Sequence, residues 1–335
     1  MALDVDTLPV RASTRPTAAG GGGHPYFTGP TPRKKLTLGR ALGRDWRIYT
    51  FTVLPVIFLL LFRYAPMVGN VIAFRRFRAG GFWLGDEWVG LHFFRMAFAN
   101  PAFWNAFWNT VIIGGLWFVI GFPLPIMLAL MLNELRSRKF KRTVQTITYL
   151  PHFLSIVIVA GLIREIVAPT GTLNNILGFF GIEGQIWLQN PDAFRPIWII
   201  SEAWQTVGFG TILYLAALST IDDGLYEAAR IDGAGRWRQT WHVTLPGIRP
   251  TIMVLMVLNI GSFLSVGFEK FLLLQNHSTF ETSDVISTYL FRIGTGQAAS
   301  PSLATAIGLM ESVVGLILVV SANFASKKLA GASLW

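Results

Sequence analysis

Long apolar stretches alternate with short polar segments along the chain, and six of the stretches are long enough to cross a lipid bilayer. The hydrocarbon core of a bilayer is about 30 Å thick, which a helix of about 20 apolar residues spans. The candidate spans are residues 48–69, 108–132, 143–163, 196–219, 246–268 and 303–324. This pattern predicts an all-α integral membrane protein with six transmembrane helices.

Charged residues are rare inside these stretches. The second and third spans contain none, and the other spans contain only Arg63, Glu202, Arg249 and Glu311. Because a charge inside the bilayer is costly, such residues deserve a functional hypothesis. Arg63 and Glu311 could pair with each other or with a partner subunit, but a packing role is favoured for both.

The composition agrees with a membrane protein and argues against several other classes. Hydrophobic residues make up 52% of the 335 residues and charged residues only 14%, against about 25% charged in a soluble domain. The chain has no cysteine, which excludes disulfides and thiolate metal sites. The net charge of +10 does not indicate nucleic-acid binding, because the basic residues cluster beside the apolar spans.

The distribution of Lys and Arg predicts the orientation. If the N-terminus is cytoplasmic, the segments on that side of the membrane carry 19 of the 28 Lys and Arg residues. Positive residues concentrate in cytoplasmic segments, so both termini and the loop 220–246 are predicted to be cytoplasmic. Residues 1–32 lack the apolar core of a signal peptide, and residues 1–45 are predicted to form a disordered tail.

Three arginines do not follow this distribution, because Arg75, Arg76 and Arg78 come after the first span, on the predicted outer side. One interpretation is an interfacial loop whose arginines face phosphate headgroups. The other is a positive outer surface for an acidic substrate or an acidic partner protein. The sequence leaves both open.

The loop "EAARIDGAGRWRQTWHVTLPGIRP" lies between the fourth and fifth spans and is polar where its neighbours are apolar. Asp222 or Asp223 is predicted to cap a short helix, because a carboxylate accepts the free N–H groups of a first turn. Gly233 is predicted to end this helix in the left-handed conformation.

A second short helix is predicted over residues 236–243, with Trp237 and Trp241 on one face and Pro246 in the first turn of the next span. The loop is therefore expected to be two short helices that meet at a glycine corner. Such a loop could lie at the headgroup boundary, or it could dock in a groove of a cytoplasmic partner.

The same loop resembles the "EAA…G…LP" loop of ABC importer permeases. The residues that carry the resemblance are Glu227, Ala228, Ala229, Asp232, Gly233, Ala234, Leu245 and Pro246. The resemblance covers about residues 107–326 and implies a type I ABC importer permease fold. It divides the chain into the tail 1–45, a first helix and outer loop 46–106, a five-helix core 107–326 containing the loop 220–246, and a tail 327–335.

The resemblance also implies how such a subunit functions. The loop would be a coupling helix that sits in a cleft of a partner ATPase and transmits the closure of two ATPases on ATP. A second permease and an external solute-binding protein would complete the importer in a bacterial cytoplasmic membrane. ATP and Mg would be bound by the ATPase subunits, and this chain would have neither a cofactor nor catalytic residues.

The extra helix before the five-helix core is a feature in which the chain resembles the carbohydrate importers related to the maltose permeases. The stretches "FRYAPMVGNVIAF", "WVGLHFFRMAF" and "FWNTVII" resemble the branch that handles complex oligosaccharides and polysaccharides, to which alginate importers belong. The resemblance therefore implies import of an oligosaccharide or polysaccharide, a class that includes acidic ones such as alginate.

The sequence itself contains no sign of an enzyme. It lacks the G-x-x-x-x-G-K-[ST] motif of P-loop ATPases, and its five histidines are scattered without the spacing of metal ligands. We therefore predict neither a nucleotide site nor a metal site in this chain.

One face of the fourth span combines aromatic and polar residues. Trp198, Glu202, Gln205 and Phe209 follow helical spacing and share this face. Aromatic rings stack on the apolar faces of sugars, and amides or acids bind hydroxyl groups, so this face is predicted to line a sugar path. The alternative is that these residues only join helices by hydrogen bonds.

Asn259, Ser262 and Glu269 are predicted to form a similar stripe on the fifth span, with Asn259 and Ser262 assigned to the same path. Glu202 would repel an anionic sugar unless it is paired or protonated.

Two functions of other classes remain as alternatives to an ABC permease. An ion-coupled secondary transporter would need inverted repeats and helices broken at corresponding positions, and the sequence has no such symmetry. A membrane scaffold without transport would need no coupling loop.

Overall fold

The computed structural model describes residues 46–78, 80–264, 267–295 and 299–330, and the predicted disordered tail 1–45 lies outside this range. The chain divides into two compact units, Met1–Arg63 and Tyr64–Trp335. In the first unit, α1 (Trp46–Leu59) continues into a π-helical turn (Leu60–Tyr64).

The second unit is built almost entirely of helices. It begins with a 3₁₀ segment (Ala65–Phe74) and a small antiparallel ribbon that pairs β1 (Arg75–Arg76) with β2 (Glu87–Trp88). The helices that follow are α2 (His92–Ala99), α3 (Pro101–Gly121), α4 (Pro123–Glu134), α5 (Arg138–Tyr149), α6 (Ile156–Ile166), α7 (Thr172–Phe179), α8 (Pro191–Leu218), α9 (Asp223–Ile231), α10 (Arg236–Gln239), α11 (Leu245–Gly261), α12 (Phe268–Leu274), α13 (Phe280–Ser283), α14 (Ile286–Thr295) and α15 (Pro301–Ala330).

Within the residues that the structure describes, length and composition identify four helical stretches that can cross a membrane, and up to six if each of two bent pairs counts as one span. The four stretches are Tyr49–Phe74, Pro101–Glu134, Arg236–Gly261 and Pro301–Lys328. The bent pairs are Arg138–Phe153 with Ile156–Ile166, and Pro191–Leu218 with Asp223–Ile231. An all-α membrane protein with up to six spans is the predicted class.

Two of the predicted spans have the wrong form. The third, 143–163, is not one straight helix, because α5 ends in a 3₁₀ turn (Leu150–Phe153) that contains Pro151, and the axis then bends by 101° between Phe153 and Ile156. Proline has no N–H to donate, so the series of backbone hydrogen bonds along α5 stops at Pro151. The fifth, 246–268, is helical only to Gly261.

Helix α8 is the central element of one core. Phe194 and Trp198 on α8 pack against Ile113 of α3, Val159 of α6 and Phe271 of α12. These side chains are buried and join segments that are far apart in the sequence. The core therefore fixes the wall of α8 that carries the predicted path residues.

Helix α8 also approaches α5 closely at one glycine. A Cβ atom added to Gly208 would lie 1.9 Å from the backbone oxygen of Thr148. Only glycine allows two helix backbones to come this near, as is common where helices pack within a membrane.

A buried polar network anchors the segment between α12 and α15. The Asn109 amide on α3 donates to the carbonyls of Glu281 (2.9 Å) and Asp284 (3.0 Å), while Arg195 on α8 donates to its oxygen at 2.7 Å. The Asp284 carboxylate accepts in turn from Arg292 at 2.5 Å. This network ties α13 and α14 to α3 and α8, so the segment is held as part of the bundle.

Candidate functional site

The loop between α8 and α11 forms a defined structure that we call the elbow (residues 222–246). Its first helix, α9, begins as predicted with an aspartate cap, and the residue that caps is Asp222. The Asp222 carboxylate accepts from the N–H of Gly224 at 2.9 Å. The axis of α9 bends away from that of α8 by 76°.

The end of α9 also has the predicted glycine corner. Gly233 has a φ of +73°, in the left-handed region. The N–H of Ala234 donates to the carbonyl of Ala229 at 2.8 Å, and the N–H of Gly233 donates to that of Arg230 at 3.0 Å. This pair of bonds is the Schellman motif, which satisfies the last carbonyls of a helix.

The second arm of the elbow differs from the prediction. Helix α10 covers only Arg236–Gln239, and a π-helical turn (Thr240–Thr244) connects it directly to α11. The second arm is thus continuous with the following span instead of being a separate helix over 236–243. Pro246 lies in the first turn of α11, as predicted.

The two arms are connected by side-chain hydrogen bonds. The hydroxyl groups of Tyr226 and Thr244 lie 3.1 Å apart, and the Gln239 amide donates to the carbonyl of Ala234 at 2.7 Å. The first bond joins the two arms, and the second joins the second arm to the corner. The elbow is therefore held together by its own side chains.

The base of the elbow is packed against the bundle. Ile221 fills the space beside Gly247, where an added Cβ atom would lie 2.9 Å from the Ile221 side chain. Ile221 also joins a core cluster with Leu218 of α8 and Ile248 of α11. Ile221 thus packs the end of α8 against the start of α11 at the base of the elbow.

The tip of the elbow exposes apolar side chains. Ile231 is 87% exposed and Trp237 is 80% exposed, and Leu225 and Trp241 are also exposed. Among the predicted coupling residues, Glu227, Ala228, Asp232, Gly233 and Pro246 are exposed, and Ala229, Ala234 and Leu245 are half-buried. An apolar surface edged with charge is typical of an interaction site. Contact of these residues with an ATPase stays a prediction.

A cavity of about 120 Å³ lies between α3, α8 and the end of α11, and we call it the central cavity. Its lining residues are Gly114, Trp117, Phe118, Trp198, Glu202, Asn259, Ser262, Phe263 and Gly267. Four of the five predicted path residues are therefore brought together, namely Trp198, Glu202, Asn259 and Ser262. That they line a substrate path stays a prediction.

The other predicted positions lie elsewhere. Gln205 is buried and does not line the central cavity, and Phe209 stacks on His152 at a ring distance of 4.0 Å. The stripe from Asn259 through Ser262 does not extend to Glu269, because α11 ends at Gly261. Gln205 thus lies outside the central cavity, and its place on a substrate path stays a prediction, whereas the predicted helix boundary was wrong for Glu269.

A second cavity, of about 270 Å³, adjoins the central one. It shares Trp117, Glu202 and Asn259 with the central cavity and extends to Tyr214 and Leu255. Tyr214 lies near the end of α8 that leads into the elbow. The two cavities thus follow α8 and α11 toward the elbow.

Sequence reasoning missed the partner of Glu202. The Lys270 ammonium group on α12 lies 2.5 Å from the Glu202 carboxylate, and Lys270 is only 1% exposed. The two residues are 68 positions apart, and no local pattern links them. The Lys270 ammonium group compensates the negative charge of Glu202 on the cavity wall. This is the pairing that the sequence analysis required if the substrate is anionic.

Aromatic rings form the other side of the central cavity. Trp198 lies edge-on to Trp117 at a ring distance of 6.0 Å and stacks on Phe271 at 5.0 Å. The indole N–H of Trp198 is buried and has no hydrogen-bond partner among the described residues. The cavity therefore combines rigid apolar plates with a carboxylate, an amide and a hydroxyl.

Comparison with known proteins identifies the family. Residues 121–330 match the family described as binding-protein-dependent transport system inner membrane component. The chain is 42% identical to Protein LplB of Bacillus subtilis (strain 168), over 89% of this chain and 94% of that protein. It is 43% identical to the polygalacturonan/rhamnogalacturonan transport system permease protein YteP of the same organism, over 88% and 92% of the two chains.

Solved structures agree with this result. The chain resembles a bacterial ABC transporter involved in the import of the acidic polysaccharide alginate, with a TM-score of 0.82 and 43% identity over 88% of this chain and 99% of that one. A bacterial alginate ABC transporter in complex with an alginate pentasaccharide-bound periplasmic protein matches with a TM-score of 0.83 and 42% identity, over 89% and 99%. The chain therefore belongs to the inner-membrane permease components of binding-protein-dependent ABC transport systems.

Proposed function

We propose that this chain is a permease subunit of an ATP-driven importer for an acidic oligosaccharide. ATP would be hydrolysed by partner ATPase subunits, and the elbow would transmit their motion to the helices that line the cavities. The observation that carries the proposal is the rigid elbow, whose arms lead directly into α8 and α11. These are the two helices that bear Glu202 and Asn259.

The proposed mechanism is alternating access. A cleft of an ATPase grips the exposed tip of the elbow, with Ala228 allowing close approach and Glu227 meeting a basic group. When two ATPases close on ATP, the elbow moves as one piece because its arms are hydrogen-bonded. The clamped ends of α8 and α11 tilt with it, and the two cavities open toward the opposite side of the membrane.

The acidic character of the substrate is supported by two observations. The permease YteP is named for polygalacturonan and rhamnogalacturonan, and the solved transporters are described as importing or carrying alginate. In this chain, Lys270 neutralises Glu202, which removes the repulsion that an unpaired acid would exert on an anionic sugar. The half-buried Trp117 ring offers a plate for a sugar face, backed by the buried Trp198 ring, and Asn259 and Ser262 offer hydrogen bonds to hydroxyl groups.

The proposed assembly contains a second permease, identical or homologous, two ATPase subunits and an external solute-binding protein. The chain would lie in the bacterial cytoplasmic membrane with both termini in the cytoplasm. The preference of basic residues for the cytoplasmic side supports this orientation, since Lys327 and Lys328 lie at one end of α15 and the elbow carries Arg230, Arg236 and Arg238.

The coupling role can be tested with the assembled transporter in proteoliposomes. Glu227→Lys should abolish ATP-dependent uptake and weaken the association of the ATPase, because it reverses a charge at the proposed contact. Glu183→Lys is a matched control, since Glu183 is also exposed but lies far along the chain from the elbow. Normal ATPase association and uptake in Glu227→Lys would contradict the coupling role.

The same preparation distinguishes the other function classes. Uptake that continues without ATPase subunits and follows an ion gradient would favour a secondary transporter. The substrate class is tested by competition between alginate or galacturonate oligosaccharides and neutral oligosaccharides of equal length. We expect the acidic oligosaccharides to be preferred, and preference for the neutral ones would contradict this part of the proposal.

A further inference from the structure

A separate apolar cavity of about 560 Å³ lies on the surface of the bundle, away from the central cavity, and we call it the lateral groove. Its walls come from the 3₁₀ segment Ala65–Phe74, from α2 and from α15, and Asn70 is the polar residue among them. The lining residues are Met67, Asn70, Val71, Phe74, Phe94, Phe98, Leu309, Met310, Val313 and Val314. Met67 and Val313 are more than half exposed, so the groove is open along its length.

The ribbon β1–β2 begins directly after the wall of this groove, at Arg75. It is fastened to the start of α15, because the Ser302 hydroxyl donates to the carbonyl of Arg75 at 2.7 Å and accepts from the N–H of Phe77 at 3.0 Å. Phe74 in the groove stacks on Trp88 of the ribbon at a ring distance of 5.7 Å. Groove and ribbon are thus continuous.

Two of the three outer arginines make polar contacts with the second strand of the ribbon or the residue before it. Arg75 donates to the carbonyl of Asp86 at 3.2 Å, and Arg76 lies 3.4 Å from the Glu87 carboxylate. The Asp86 carboxylate accepts from the N–H of Phe82 at 2.8 Å. Arg78, in the loop that connects β1 to β2, is exposed and makes no ion pair among the described residues, so its guanidinium group remains available.

The depth of these features follows from α15. Its 30 residues are about 45 Å long, which matches a bilayer of about 40–45 Å with its headgroups. The Ser302 end therefore lies at one interface, and Lys327 and Lys328 lie at the other. Leu309–Val314 follow Ser302 by about 10–18 Å along the axis, within the hydrocarbon.

The ribbon has the character of a segment at that interface. Phe82, Trp83 and Trp88 are all more than half exposed, and such aromatic residues are enriched at the boundary between headgroups and hydrocarbon. A cation at headgroup depth and an apolar groove below it match the two ends of one phospholipid molecule.

We propose that the lateral groove binds an anionic phospholipid of the surrounding bilayer. The acyl chain lies between the 3₁₀ segment Ala65–Phe74, α2 and α15, and the headgroup phosphate accepts hydrogen bonds from Arg78. A helix of a partner permease would fill the apolar groove equally well, but it would leave Arg78 without an acceptor. Charge complementarity therefore favours the lipid.

The headgroup contact is tested by native mass spectrometry of the complete transporter, with phosphatidylglycerol and phosphatidylcholine of identical acyl chains. Arg78→Gln should lower the retention of phosphatidylglycerol about tenfold, as expected for the loss of one charge-assisted hydrogen bond, and leave phosphatidylcholine unchanged. The control is Lys327→Gln, which removes a positive charge at the opposite interface. Equal retention of phosphatidylglycerol by the wild type and Arg78→Gln would contradict the proposal.

The acyl-chain contact needs a second pair of variants. Val313→Trp should fill the groove and reduce retention of both lipids, whereas Val320→Trp adds the same side chain to an exposed site of α15 outside the groove. Because this chain has no native cysteine, Val313→Cys also gives it a single spin-label site. A label accessible to oxygen dissolved in the lipid supports the proposal, and a label shielded by a second permease chain overturns it.

Discussion

The elbow and the central cavity are held together by different kinds of contact. In the elbow, the hydrogen-bonded residues Tyr226 and Thr244 are 18 positions apart in the sequence, and the other hydrogen bonds join residues that are closer still. In the cavity, Glu202 and Lys270 are 68 residues apart and belong to separate helices. The elbow is therefore shaped by its own sequence, whereas the shape of the cavity depends on how the helices are arranged.

This difference suits the two regions to different tasks. A locally bonded elbow keeps its form when the bundle rearranges, so it can transmit force. A cavity built from distant residues changes whenever α8 and α11 move relative to α3 and α12. Substitutions in the cavity should therefore affect stability, and substitutions at the corner of the elbow should affect coupling.

The largest effect is expected for Lys270→Met. It leaves the Glu202 carboxylate without its buried partner, and breaking a buried ion pair costs about 3–5 kcal/mol. We expect the low end of this range, because the Glu202 side chain keeps 22% of its exposure to solvent. Thermal unfolding of the purified protein measures the loss, and binding of the ATPase should not change.

The double variant Glu202→Gln/Lys270→Met provides the control for this prediction. Removing both charges should restore part of the lost stability, since no unpaired carboxylate remains. If the double variant is as unstable as Lys270→Met alone, the ion pair does not account for the loss.

A smaller effect is expected for Gly208→Ala. The added methyl group would lie 1.9 Å from the Thr148 backbone oxygen, so α5 and α8 must separate. Overpacking of this kind costs about 1–3 kcal/mol. Gly161→Ala is the matched control, because a Cβ atom at Gly161 in α6 has no neighbour within 4 Å. Equal melting temperatures for the two variants would show that α5 and α8 do not approach this closely at Gly208.

The smallest effect on stability is expected for Gly233→Ala, which strains the corner of the elbow by about 1–2 kcal/mol because φ is positive there. Gly235→Ala is a close control, since both glycines have open space around them and Gly235 has an ordinary φ of −68°. We expect Gly233→Ala to lower uptake per ATP hydrolysed and Gly235→Ala to leave it unchanged. The same uptake ratio in both variants would argue against a coupling role for the corner.

The sequence was sufficient where local rules decide the structure. The Asp222 cap, the left-handed Gly233 and Pro246 in the first turn of α11 depend on neighbouring residues only. Helical spacing also brought Trp198 and Glu202 to one face, because α8 is regular over its 28 residues.

Prediction from the sequence failed where contacts between distant residues, or breaks in a helix, determine the structure. Pro151 is visible in the sequence, but proline is tolerated inside membrane helices, so neither the end of α5 nor the 101° bend that follows Phe153 was predicted. Lys270 follows the end of a span like many interfacial lysines, and only the packing of α12 against α6 and α8 turns it inward. The end of α11 at Gly261 lies within an apolar run that contains no helix stop signal apart from glycine itself.

The central claim is that an ATPase grips the elbow, and one cross-linking measurement tests it directly. The chain has no native cysteine, so Ala228→Cys introduces a single thiol. This thiol can carry a photoreactive group in the complete transporter. The account predicts a cross-link to the ATPase subunit whose yield changes when ATP binds. Labelling of lipid alone, with no ATPase adduct in any nucleotide state, would contradict it.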